Sequence, residues 1–297
     1  MRGTIIKAYG GFFFVRVADR VLRCKIRGRI RKHYGQVLVG DEVGLEFAAC
    51  PAGAAASAHD GVITDIYPRS SELTRPPVAN VNQAVIIFSV DHPKPNTVLL
   101  DRFLLQAYKA GIDPVLCFNK MDLIDFGDLD FFKDYEPAGY PMVKISAKSG
   151  QNIELLRQLL KEKISVLAGP SGVGKSSLLN ALEPGLQLKT GDISQKLKRG
   201  RHTTRHVELM PLAGGGMVAD TPGFSSMYLP AMRKEELSAC YPEFIDYSAG
   251  CRFSGCLHHR EPDCAVKEAV AEGLISILRY QQYTMLLQEV TEAERRY

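Results

Sequence analysis

Gly169-Pro170-Ser171-Gly172-Val173-Gly174-Lys175-Ser176 is a complete phosphate-binding loop of the form G-x4-G-K-[ST]. Its glycines let backbone N–H groups point at phosphate oxygens, Lys175 is placed to reach the β- and γ-phosphates, and the Ser176 hydroxyl to ligate Mg²⁺. The flanks agree. Residues 164–168 read as an apolar strand leading in and 176–182 as a helix leading out, with Ser177 in its first turn. That context favours nucleotide binding over a purely structural Gly-rich turn. It also sets the fold class of the surrounding region, because apolar strands and helices alternate outward from it. Strands are expected at 84–90, 114–118, 142–145 and 217–219, and helices at 99–110 and 153–162, which is an α/β pattern with a mostly parallel sheet.

The loop alone does not name a base. Asn119-Lys120-Met121-Asp122 directly follows the 114–118 strand, and an aspartate carboxylate accepts from guanine N1–H and the 2-amino group together, a donor pair that adenine lacks. Ser146-Ala147-Lys148 ends the next strand, where Ser146 and a backbone amide would support the guanine O6 and the Asp122 carboxylate. D-x-x-G occurs at Asp41 and at Asp220. Asp41 lies in a basic β region and reads as a turn residue. Asp220-Thr221-Pro222-Gly223 closes the 217–219 strand, where Asp220 would hold Mg²⁺ through water and Gly223 would sense the γ-phosphate. These are the parts of a GTPase that takes GTP to GDP, but Asn119 precedes Lys175 by 56 positions, the reverse of the Ras-like order.

With 297 residues the chain has room for two or three folding units. Its charge is unevenly spread: residues 1–70 carry 11 Lys/Arg against 6 Asp/Glu, residues 71–228 carry 18 against 16, and residues 229–297 carry 8 against 11. Residues 1–67 read as strands at 4–8, 12–17, 21–26, 42–47 and 62–67 without a convincing helix, and 48–60 as a loop, so a small OB-type β-barrel is expected. Arg23, Lys25, Arg27, Arg29 and Arg31 would form one cationic face at strand period, either solvated or turned to a polyanion such as RNA.

Beyond residue 229, Cys251-x4-Cys256-x-His258-x5-Cys264 supplies three thiolates and an imidazole, a tetrahedral set for structural zinc, with His259 as the competing ligand. Helical sequence runs on from Ala265, interrupted at Gly273, while Cys24, Cys50, Cys117 and Cys240 read as packed thiols. The odd count of seven cysteines argues against a disulfide framework. No apolar run approaches the roughly 20 residues that span a bilayer, and no signal peptide is visible, so a cytoplasmic protein without a membrane partner is expected.

A β-barrel in front, a permuted set of guanine-nucleotide motifs and a terminal Cys/His knot together resemble the small-ribosomal-subunit biogenesis GTPases of the RsgA/YjeQ family. The resemblance runs from Gly3 to about Tyr283 and includes Leu73-Thr74-Arg75-Pro76-Pro77-Val78-Ala79-Asn80, Thr190-Gly191-Asp192-Ile193-Ser194 and Arg199-Gly200-Arg201-His202-Thr203-Thr204-Arg205. It implies a multidomain chain: an OB-type RNA-binding barrel over 1–70, a circularly permuted α/β P-loop GTPase domain over 71–228, and a zinc-binding helical domain over 229–297. It further implies slow intrinsic GTP hydrolysis stimulated by the 30S subunit late in its maturation, contact with 16S rRNA and with other assembly factors, and one zinc at Cys251, Cys256, His258 and Cys264. The chain is expected to act as a monomer.

Switch I would be residues 189–205, where Thr203 or Thr204, with Thr204 favoured, closes over Mg²⁺ and the γ-phosphate. Six Lys/Arg against one Asp between Lys189 and His206 would also attract rRNA phosphates. Phe224 follows D-x-x-G where a Ras-type enzyme has its water-orienting glutamine, so another group must place the water. His202 and the ribosome are the candidates, although a lone His202 suits an RNA or phosphate contact better. Gly172 replaces the Asn of potassium-activated relatives, so no dedicated potassium ligand is expected. Two other readings compete: a translation or tRNA-modification GTPase, which would normally show the unpermuted order, and an RNA-binding barrel whose nucleotide site is regulatory.

Overall fold

Short strands broken by Gly and Asp turns close a barrel over the first 66 residues. In the computed structural model, which describes residues 1–28, 30, 34–47, 60–74, 77–124, 130–186, 207–220 and 229–295, five strands form it: β1 (Arg2–Tyr9), β2 (Phe12–Val17), β3 (Arg20–Ile26), β4 (Glu42–Phe47) and β5 (Gly61–Ile66). They pair in the order β1-β2-β3-β5-β4, with β4 returning to β1. Only the β3–β5 ladder is parallel. Ile5, Val15, Cys24, Val43, Leu45 and Ile63 point inward and are buried, which is the OB-type barrel the alternation predicts.

The expected cationic strand face is shorter than its sequence pattern. β3 ends at Ile26, and Gly28, Ile30 and Tyr34 have helical backbone, so Arg23 to Arg31 do not share one strand. The turn buries Ile30 in the barrel core, and its N–H donates to the Arg27 carbonyl at 3.0 Å. Burial of one isoleucine outweighs continuation of an exposed edge. Arg23 and Lys25 remain together, both over the Phe12 ring at 5.1 and 5.5 Å. Arg29 and Arg31 lie outside the described residues, as does the 48–59 part of the expected loop.

A hairpin that the strand signals miss, β6 (Glu72–Thr74) with β7 (Pro77–Ala79), leads from the barrel to the second sheet. Asp41 belongs to the turn before β4, as expected. Its carboxylate accepts from Leu38 N at 2.7 Å and is paired with Arg69, the residue that leads out of the barrel.

The second unit comprises β8 (Gln83–Ser89), α1 (Thr97–Lys109), β9 (Asp113–Asn119), α2 (Asp130–Lys133), β10 (Met142–Lys144), α3 (Ile153–Leu160), β11 (Ile164–Ala168), α4 (Lys175–Leu182), β12 (Glu208–Pro211) and β13 (Met217–Asp220). Its sheet runs β10-β9-β8-β11-β13-β12, parallel except for β12. β8 is buried along its whole length because both faces are covered. Ala84, Ile86 and Phe88 join a cluster with Leu100, Phe103 and Leu104 of α1, whereas Val85 and Ile87 pack with Leu156, Leu160, Leu178 and Leu182 of α3 and α4. The strand order places the turns after β9, β10 and β11 together at the carboxyl edge, where open α/β sheets receive ligands. β12 also pairs with β1, so barrel and nucleotide sheet are continuous.

The chain closes with α5 (Lys234–Leu237), α6 (Pro242–Ser248), α7 (Ala265–Ala271) and α8 (Ile277–Glu294). Gly273, at φ 76°, makes the expected break between the last two. No helix of the described residues is long and apolar enough to cross a membrane. α8 docks on α1 through a buried ionic cluster. The Arg279 guanidinium lies between the Tyr135 and Tyr241 rings at 4.7 and 4.5 Å, donates to Glu243 Oε1 at 2.7 Å, and contacts Asp101 Oδ1. Burial pushes the Asp101 carboxyl up to about 6 against the opposing pull of Arg279 and the Tyr135 hydroxyl.

Arg279→Met should therefore cost about 3 kcal/mol or more, since it leaves two buried carboxyls without their cation. Denaturant unfolding checks the loss, and hydrogen exchange should place it in α1 and α8.

Candidate functional site

β11 delivers the chain to Gly169, where a left-handed turn is obligatory. Gly169 has φ 137°, and a Cβ there would lie 2.2 Å from the Ile87 carbonyl oxygen of β8. Gly174, at φ 96°, starts α4, and a Cβ on it would meet Asn119 Nδ2 at 2.4 Å. These constraints turn the 169–175 backbone around the amino end of α4, whose free N–H groups and dipole favour an anion. Lys175 folds back over the loop, donating to the carbonyls of Gly169 and Pro170, each at 2.7 Å. Burial lowers its ammonium to about 8, so an incoming anion gives this cation the counter-charge that two carbonyls do not. Ser176, buried beside it, is the first hydroxyl of the helix.

The N-K-x-D segment lies against this loop. The Asn119 carboxamide donates to Val173 O at 2.9 Å and accepts from Lys120 N at 2.8 Å and Ala147 N at 3.0 Å. Lys120, itself left-handed at φ 69°, extends its ammonium to the Gly172 carbonyl at 2.7 Å and to the His92 carbonyl. Ser146 Oγ donates to Asp122 Oδ1 at 2.6 Å, leaving Oδ2 directed away, 3.9 Å from the exposed Lys148 ammonium. The structure thus brings together Asn119 to Asp122, Ser146 to Lys148 and Gly169 to Ser177, three stretches from different turns of one sheet edge. Asp220 ends β13 on the strand next to β11, with Ala219 paired to Val166. Thr203, Thr204, His202, Gly223, Phe224 and the switch I stretch lie outside the described residues. The clamps by Lys120 and His92 escape sequence reading, because a backbone carbonyl leaves no mark on residue type.

In the C-terminal segment, Cys251, Cys256, His258 and Cys264 converge, with one ligand atom each and all within 4.8 Å of one another. Cys251 and Cys264 Sγ are 3.8 Å apart and lie 3.5 and 3.4 Å from His258 Nδ1. A tetrahedron with metal–sulfur bonds of about 2.3 Å has edges of roughly 3.7 Å, so the set fits a structural metal. Burial pushes the Cys264 thiol up to about 12, so a buried thiolate set here needs a cation at its centre. Burial likewise favours the neutral form of His258, the form that ligates. His259 is not one of the four converging residues; its backbone N–H donates to Glu261, whose carboxylate also accepts from Leu257 N and Arg260 N at 3.0 Å. Tyr280 and Tyr283 of α8 donate to the His258 and Leu257 carbonyls at 2.8 and 2.7 Å, tying the knot to the helix. Cys24, Cys117 and Cys240 are buried free thiols, and Cys50 lies outside the described residues.

The RsgA GTPase family profile matches residues 66–230, and the RsgA N-terminal domain profile matches residues 2–53. The chain belongs to the RsgA GTPase family. Curated relatives named small ribosomal subunit biogenesis GTPase RsgA include that of Carboxydothermus hydrogenoformans, 44% identical over 295 residues and 99% of both chains, and that of a Geobacillus species, 47% identical over 299 residues and 99% of both. Among solved structures, YjeQ from Thermotoga maritima superposes with a TM-score of 0.81 at 38% identity over 98% of each chain. YloQ, described as a circularly permuted GTPase, superposes at 0.79 with 38% identity over 98% of this chain and 95% of its own. The permuted order of Asn119 and Lys175 is thus a property of the family fold.

Cys256→Ser should release the metal and loosen residues 251–294 more than the nucleotide sheet, because metal affinity in such a knot is folding free energy. Elemental analysis with hydrogen exchange checks this: carefully prepared wild type should hold one equivalent and the variant about none.

Proposed function

We propose that this chain binds GTP at the carboxyl edge of its sheet and hydrolyses it to GDP and phosphate as a late maturation factor of the small ribosomal subunit. Membership of the RsgA family makes it a ribosome biogenesis GTPase. The observation that carries the nucleotide reading is the Asn119–Val173 bond, which sets a guanine-type base motif against a phosphate loop although the chain supplies them in reverse order.

In this reading the amides of Gly169, Pro170, Ser171, Gly172, Val173 and Gly174 surround the β-phosphate, and Lys175 exchanges its two carbonyl partners for β- and γ-phosphate oxygens. Ser176 and Ser177 face the phosphates from the first turn of α4. Ser176, Asp220 and Thr204 would supply the oxygen donors for Mg²⁺ in this reading. The ion, when bound, neutralises charge developing on the phosphates. Asp122 Oδ2 takes guanine N1–H and the 2-amino group while Ser146 holds Oδ1, the Ala147 amide shares its N–H between Asn119 Oδ1 and guanine O6, and Lys120, Met121 and Lys148 frame the base. Gly223 senses the γ-phosphate. Phe224 cannot orient water, so that task falls to His202 or to the ribosome.

Three domains divide the work: 1–70, 71–228 and 229–297. The first carries the barrel and an excess of cations, including Arg23 and Lys25 over Phe12, and supplies the 16S rRNA contact. The last holds one structural zinc, since Cys251, Cys256, His258 and Cys264 leave no open position for chemistry. GTP or GDP and the small subunit are the partners, other assembly factors meet the protein there, and it acts as a cytoplasmic monomer.

Asp122→Asn should cost GTP about 2 kcal/mol or more of affinity while gaining xanthosine triphosphate, because the amide donates to the 2-oxo group and no longer accepts both guanine donors. Competition binding checks it, and retained preference for GTP would sink the assignment. Purified 30S subunits should raise the slow intrinsic rate by at least about tenfold at low salt. Neutralising Arg199 and Arg201 together should reduce both that stimulation and the salt dependence of subunit binding, with GTP affinity nearly unchanged. Hydrolysis that 30S subunits leave unaltered would contradict the ribosomal part of the reading.

A further inference from the structure

Lys7 of β1 and Glu208 of β12 are register partners at the seam between barrel and nucleotide sheet, and Lys7 Nζ is ion-paired with Glu208 Oε2 at 2.9 Å. Across the other edge of β12, Glu208 is the register partner of Asp220, the last residue of β13. Lys7, Glu208 and Asp220 therefore occupy one row across three adjacent strands. A ladder of this kind is stiff perpendicular to its strands, since each hydrogen bond holds its neighbours near a fixed spacing of about 4.8 Å. The row leads from the strand that opens the cationic barrel to the residue that begins D-x-x-G, and β12 itself starts where the chain leaves the switch I stretch.

We infer that Lys7 and Glu208 are positioning residues for GTP hydrolysis: their pair biases how the β12–β13 hairpin sits against the barrel, so that RNA docking on the barrel biases the placement of Asp220. By linkage, the nucleotide biases the affinity of the barrel for RNA by the same factor. The inference rests on the reading of Asp220 as the carboxylate on the nucleotide side. Neither side chain is needed to fold its element. β1 is held by β2 and β4, and β12 by four register pairs to β13. Lys7 and Glu208 keep 37% and 45% of their side-chain surface exposed, so the pair acts as a modest bias that salt screens, not as a structural clamp.

The test uses full-length protein and purified small ribosomal subunits. Lys7→Glu, Glu208→Lys and the double exchange are compared with wild type for subunit-stimulated kcat, for KM, and for the ratio of subunit dissociation constants with GDP and with a non-hydrolysable GTP analogue. Each reversal should lower kcat and compress that ratio by about threefold or more, with KM for GTP within about twofold, and the double exchange should restore both. Lys7→Met and Glu208→Gln, which remove charge and keep volume, should move the ratio in the same direction. A wild type that hydrolyses GTP and discriminates nucleotides, alongside single variants that match it or a double exchange that fails to restore it, overturns the coupling alone. A wild type that does not hydrolyse GTP overturns the functional reading and this inference with it.

Discussion

The Asn119 carboxamide donates to the Val173 carbonyl and accepts from the amides of Lys120 and Ala147, joining the turns after β9, β10 and β11. The group is almost fully buried, so each of these bonds is made where water competes little and where a lost partner would be costly. The rest of the site is arranged around it. Gly174 must be glycine because that amide occupies the space of a Cβ, and Lys120 is left-handed so that its ammonium can reach back to Gly172. Covalent order is immaterial to such a bracket. The same strand neighbours and the same loop contacts form whether the base motif precedes or follows the phosphate loop, because parallel pairing of β8 with β9 and with β11 sets the turns side by side.

Two seams then attach other units to this edge, by different physics. The β1–β12 ladder is a backbone connection with an exposed ion pair, weak in side-chain energy and directional in geometry. The α1–α8 seam is the opposite. Arg279 is buried between two tyrosine rings with Asp101 and Glu243 as partners, beside an apolar cluster of Leu105, Tyr241, Phe244, Tyr283 and Leu286. Burying three charges contributes little net stability over an apolar replacement, but it penalises any misaligned docking of α8. The Cys/His knot sits on the same helix through the hydroxyls of Tyr280 and Tyr283, so one helix carries both the metal module and the contact to α1.

Residue type and spacing determined the chemistry of this protein. G-x4-G-K-S needs glycines where φ is positive, N-K-x-D needs a carboxylate for a donor pair, and the Cys251 to Cys264 spacing needs four ligands of the right kind, so each could be read as a string. Alternation likewise marked the five barrel strands to within a few residues, because a half-buried strand writes its faces into the sequence. What the string does not carry is the identity of partners across the fold. The helical turn after Ile26, the β6–β7 hairpin, β12 with its two register partners and the hold of Lys120 on carbonyl oxygens were decided by tertiary contacts. Arg279 is the sharpest case. Nothing in the string marks this arginine as buried, and only the packing of α8 on α1 removes it from water, because burial is a property of the assembled chain and not of the residue.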